Sequence, residues 1–125
     1  MKLGQLVNPA FQAAFRKLST QDVPLRAAYA IKGIEKQIRE ELSKYDAARV
    51  DSLKKLGTLD EKGELELDEH KNVKLSDEAM KSFAEQLSSL GEVDIAVSAI
   101  KISDLGNNVK LSASEASLLE DILSE

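Results

Sequence analysis

Between Pro24 and Gly57 the chain has no proline and a single glycine, Gly33. Over that length Ile31, Ile34, Ile38, Leu42, Tyr45, Leu53 and Leu56 recur in steps of three and four, with Arg49 alone interrupting the stripe. The period is near 3.6 residues, not a strict heptad, so the segment predicts one straight amphipathic helix. At 1.5 Å per residue it is about 50 Å long. A chain of 125 residues makes a single domain narrower than that. The rest of the fold therefore has to cover, or leave open, one side of a long rod.

The first helix is predicted before it. Asn8-Pro9 supplies a cap and a first-turn proline. Phe11, Ala14, Phe15 and Leu18 then share a face, and Ser19-Thr20-Gln21 connects. Asp22-Val23-Pro24 opens the long helix by the same logic, and Gly57 closes it. Glu35–Arg39 and Glu40–Lys44 are spaced as i,i+4 ion pairs. Gly33 costs roughly 1 kcal/mol in a helix interior. Its spacing favours close approach of the first helix through Ala13 and Ala14, with a hinge as the other reading.

After Gly57 the pattern changes. Glu64-Leu65-Glu66-Leu67-Asp68 alternates acidic and apolar, as a half-wet strand does. Turns at Asp60–Gly63 and Glu69–Asn72 frame it, and Val73-Lys74-Leu75 returns as the second strand of a hairpin. Ser76 caps a helix with Met80, Phe83, Ala84, Leu87 and Leu90 on its apolar side, and Gly91 ends it. Val93–Val97 alternates again, with a phase slip near Ala99 before Ile100 and Ile102. Asn-Val-Lys-Leu-Ser occurs twice, at Asn72–Ser76 and Asn108–Ser112. Each copy reads as a turn, a short strand and a helix cap. Ser112 and Glu115 have capping-box spacing, and the last helix carries Ala116, Leu119, Ile122 and Leu123 to the end.

The expected fold is α+β and a single domain. Residues 1–57 form a helical hairpin with one long helix. Residues 58–125 form two strand–strand–helix units, a small antiparallel sheet region carrying two helices.

Chemistry is sparse. There is no Cys, which excludes disulfides, thiolate catalysis and Cys-based metal sites. The single His70 sits in a charged turn beside Asp68 and Glu69, which reads as a solvated hairpin. Asp60–Glu69 lacks EF-hand spacing. There is no phosphate loop and no nucleophile elbow, so neither enzyme activity, a cofactor nor a metal is expected. A net charge of −5 opposes a general nucleic-acid interface. Arg26, Lys32, Lys36, Arg39, Lys44 and Arg49 are interspersed with Glu35, Glu40 and Glu41, as on a charge-laced solvent face. No apolar run reaches signal-peptide or membrane-span length, so neither secretion by a signal peptide nor a membrane partner is expected.

What remains is interaction. The first helix can shield only about half of the long one. The stripe Leu42, Tyr45, Leu53, Leu56 then needs a cover, with Leu119 and Ile122 of the last helix as further contacts. Arg49 either snorkels or pairs with a carboxylate of the β region or of a partner.

The opening Met1-Lys2-Leu3-Gly4-Gln5-Leu6-Val7-Asn8, the helical pair with Pro24 before the long helix, and the tail Ile100–Leu105 followed by Val109–Ala116 resemble small acidic proteins of tailed bacteriophages and prophages. The resemblance touches both ends of the chain and carries over no catalytic residue. It implies a phage setting, in the virion or the host cytoplasm. The expected function is non-enzymatic protein–protein interaction in a virion structural or assembly component of tail, neck or capsid. The partner is then another copy or another virion protein, within an oligomer or larger assembly. The alternative is an acidic regulator that inhibits a host enzyme, with Glu64, Glu66 and Asp68 imitating nucleic acid.

Overall fold

A computed structural model describes all 125 residues, Met1–Glu125. The chain begins with a short helix that no apolar spacing announces, α1 (Leu3–Leu6). The Lys2 N–H donates to Gln5 Oε1 at 2.8 Å, and tertiary bonds hold the segment. Leu3 N–H donates to the Val93 carbonyl and Ile95 N–H to the Met1 carbonyl, each at 2.9 Å. An isolated antiparallel bridge joins Lys2 to Asp94.

Helix α2 (Pro9–Ser19) follows the expected cap, with Ala10 N–H donating to Asn8 Oδ1 at 2.9 Å. It buries Phe11, Ala14, Phe15 and Leu18. The 32-residue α3 (Leu25–Leu56) starts at Pro24 with no side-chain cap, so Asp22 does not play the part that Asn8 plays. Its fully enclosed side is Ala27, Ile31, Ile34 and Ile38. Gly57 ends α3 for a different reason from the one expected. Its backbone is extended (φ −65°, ψ 149°), which any residue adopts. Space is the constraint: a β-carbon there would sit 2.6 Å from Leu65 Cδ2 and 2.7 Å from Val73 Cγ1.

The region after Gly57 is three short passes tied in a ring. Thr58 N–H donates to the Lys74 carbonyl, Lys74 N–H to the Glu66 carbonyl, and Glu66 N–H to the Thr58 carbonyl, at 2.8–2.9 Å. The two turns between the passes are built alike. Asp60 Oδ1 accepts from the Lys62 and Glu64 N–H groups at 2.9 and 3.0 Å. Asp68 Oδ1 accepts from those of His70 and Asn72 at 2.8 and 3.0 Å. Gly63 and Lys71 occupy the same place with positive φ, 80° and 63°. The underlying repeat has eight residues: Leu59-Asp60-Glu61, Leu67-Asp68-Glu69, Leu75-Ser76-Asp77.

Ser76 Oγ accepts from Ala79 N–H at 3.1 Å and starts α4 (Asp77–Gly91). This helix packs back on α3, and its Gly91 backbone meets Gly4 of α1. Gly91 is therefore the last helical residue and a close-approach point, not a left-handed terminator.

The fold is α+β, but the antiparallel sheet is corrected. The regular sheet is parallel and two-stranded, β1 (Ile100–Lys101) with β2 (Leu123–Ser124), in register Ile100 to Leu123. The acidic hairpin contributes only isolated antiparallel bridges, Leu59–Leu65 and Leu67–Val73. Its ring of three passes leaves no room for longer ladders. The second Asn-Val-Lys-Leu-Ser forms no strand; Lys110 N–H donates instead to Gln21 Oε1 at 3.1 Å. Its serine does cap α5 (Ala113–Leu118), in a complete capping box with Glu115. The last helix stops there. A 3₁₀ turn over Glu120–Ile122 takes its place, because β2 must reach β1.

All 14 buried residues form one cluster, and each lies in Leu3–Ile38 or Ile100–Ile122. Burial of those side chains removes apolar surface from water at about 25 cal/mol per Å². The segment 39–99 contributes no fully buried residue. The molecule thus has a packed body and a thinner arm made of distal α3, the three-pass tip and α4.

Candidate interaction surfaces

The stripe Leu42, Tyr45, Arg49, Leu53 and Leu56 is half-buried throughout. Leu42 and Tyr45 pack against the core cluster. α4 packs along this part of α3, with Ser52 Oγ donating to Gln86 Oε1, and Leu65 and Val73 close over Gly57. Arg49 Nη2 pairs with Asp46 Oδ1 at 2.9 Å on its own helix, not with the β region. Leu119 and Ile122 are corrected as contact residues. Both have no exposed surface, because the 3₁₀ turn points them into the core.

The i,i+4 pairs expected on α3 are replaced by i,i+3 pairs, Lys32–Glu35 at 3.4 Å and Glu41–Lys44 at 2.9 Å. Arg39 is left without an ion pair. It stands with Arg16 at the rim of an open groove of about 300 Å³ between α2 and α3, floored by Phe11, Phe15, Ile38 and Leu42. The Phe11 and Phe15 rings stack there at 6.3 Å between centroids.

Two further surfaces escape the sequence stripe. The first is the opening face of α3. Leu25 is 86% exposed and Tyr29 83%. At about 100° per residue they share a sector with Lys32, Gly33 and Lys36, opposite the buried isoleucines. Gly33 is exposed, and a β-carbon there meets nothing within 4 Å. The first helix does not approach it: Ala13 is exposed too. The second surface is the three-pass tip with the start of α4, where Leu59, Leu67 and Met80 are about half exposed (58%, 49%, 50%). Leucine at every eighth position, 59, 67 and 75, is the signal that marks this surface in the sequence.

Charge separates the two. From Arg16 to Arg39 there are six Lys and Arg against two acids, and from Thr58 to Glu92 ten acids against four Lys. The Asp60 and Asp68 carboxylates accept from backbone amides of their own turns, those of Lys62 and Glu64 and of His70 and Asn72. His70 lies 3.5 Å from Glu69 on an exposed turn. No group of three or more His, Asp or Glu is placed to hold a metal ion, and no helix is long and apolar enough to cross a membrane.

Glu115 titrates well below its ordinary range. The Lys17 ammonium, 2.8 Å away, and the Ser112 backbone N–H hold its carboxyl down at about 2. This links α5 to α2.

No protein-family model, curated protein or solved structure matches the chain.

Proposed function

We propose that this chain is a non-enzymatic protein–protein interaction module, working as a structural or assembly component of a tailed-phage virion, in tail, neck or capsid. The observation that carries the interaction reading is the grouping of exposed large apolar residues. Leu25 and Tyr29 stand at one end of a 32-residue helix, and Leu59, Leu67 and Met80 beyond the other. Grouped apolar surface of that kind is what a partner covers. The phage setting rests on the resemblance at the two chain ends. Mass spectrometry of purified virions from the encoding phage or induced prophage tests it. Recovery at a fixed stoichiometry supports the structural role, and absence from particles at every assembly stage defeats it.

The second reading is a regulator whose acidic tip occupies the basic site of a host enzyme. Its support is the excess of carboxylates over lysines between Thr58 and Glu92. Replacing Asp60–Lys71 by a short neutral turn separates the two readings. Under the regulator reading the shortened chain loses its inhibition of the host enzyme and particle assembly is unaffected. Under the structural reading, which makes the tip a contact, its incorporation into virions falls.

A further inference from the structure

We propose that two copies of this chain pair antiparallel along α3, so that the acidic tip of each covers the basic opening face of the other. This rests on the interaction reading above and names the partner as a second copy. Three observations converge on it. Five of the seven large apolar residues left open by the fold lie in two patches of opposite charge, Leu25 and Tyr29 among cations, and Leu59, Leu67 and Met80 among carboxylates, the other two being Val93 and Ile102. The patches lie at opposite ends of α3, roughly 45 Å apart at 1.5 Å per residue. An antiparallel two-fold pair therefore satisfies both contacts at once, each patch meeting the other kind. Between them one sector of α3 stays uncovered along its length, through Gly33, Glu40, Ser43 and Ala47, all exposed. Gly33 has no neighbour within the chain to explain its missing side chain. On this face it lets a second backbone come close.

The charges that steer the pairing are free to do so. Arg26 and Lys36 on one side, and Glu61 and Glu64 on the other, are exposed and make no ion pair in the fold. Opposed patches of this kind set register and partner choice.

Sedimentation velocity over a concentration series, at low and at physiological salt, tests the pairing. The wild-type chain is expected to dimerise, more tightly at low salt. Arg26→Glu/Lys36→Glu and Glu61→Lys/Glu64→Lys, each checked by circular dichroism for an unchanged helix signal, should each weaken the homodimer at least about tenfold. Mixing the two reversed variants should restore a 1:1 dimer, since every reversed tip then meets a reversed face. Gly33→Gln should weaken the dimer without lowering the melting temperature of the monomer. A mixture that stays monomeric, a dimer indifferent to both reversals, or a wild-type chain monomeric up to about 1 mM overturns the proposal. A strict monomer that is still recovered in virions overturns the pairing alone. A strict monomer absent from virions and without any partner removes the interaction reading as well.

Discussion

Two twin turns provide an internal control at the scale of single residues. Gly63 and Lys71 hold equivalent left-handed positions, yet only one is glycine. A side chain in that region costs about 1–2 kcal/mol, partly offset by the extra chain entropy glycine loses on folding. Lys71→Gly is therefore expected to stabilise the tip by about 0.5–1 kcal/mol, and Gly63→Lys to destabilise it by a similar amount, read by denaturant unfolding. Glu115 offers a pH test. Its folded pKa is about 2 against an ordinary 4.5. The carboxylate thus binds its proton more readily in the unfolded chain. Its contribution is complete above about pH 5 and is lost as pH falls from about 4.5 to about 2. Glu115→Gln should melt below wild type at neutral pH, and the gap between their melting curves should close over that window. The Ser112–Glu115 box was legible as a spacing of three. The Lys17 partner, 98 residues away, was not, because no local rule pairs the two.

Helix α3 separates what local pattern determines from what packing decides. Its extent and apolar side follow from the 3.6 period and the absence of proline, as do the apolar sides of α2 and α4. The ends of α3 at Gly57 and of α4 at Gly91 are instead set by packing, against Leu65 and Val73 and against Gly4. α1, the parallel β1–β2 pair and the early stop of α5 depend on contacts distant in sequence, such as Ile100 with Leu123. The same division holds for the interaction surfaces. Leu42, Tyr45, Leu53 and Leu56 read correctly as one apolar side, but which of them another element covers is a tertiary outcome, decided by α4 and by Leu65 and Val73. Leu25 and Tyr29 lie off that side and so carry no periodic signal. Gly33 tests the element directly. With nothing within 4 Å of a β-carbon, Gly33→Ala should stabilise the monomer by about 0.5–1 kcal/mol, a rise in melting temperature of about 2–4 °C. Calorimetry at a concentration below any association checks it; a fall would mean that α3 is bent or crowded at that point.

For the whole molecule, the distribution of burial predicts unequal stability. The fourteen enclosed side chains are all in the body, so the arm formed by distal α3, the tip and α4 is held by half-buried contacts and by backbone hydrogen bonds. Local opening is least costly where few apolar groups are enclosed. Native-state hydrogen exchange should therefore resolve two classes of amide. Those of Phe11–Leu18 and Ala27–Ile38 should exchange only through global unfolding. Those of Tyr45–Leu56 and of α4 should exchange through a smaller opening, at least about tenfold faster. Limited proteolysis should cut first within Asp60–Lys71, the exposed turns of the tip. The antiparallel pair adds a concentration dependence, because docking of the tip on a second copy gives the arm the apolar cover that its own chain does not supply. Protection of the arm should then rise with protein concentration while that of the body stays constant. Equal protection of arm and body at every concentration would defeat the two-part account of stability. A slow-exchanging body beside an arm that stays fast at millimolar concentration would retain that account and remove the dimer.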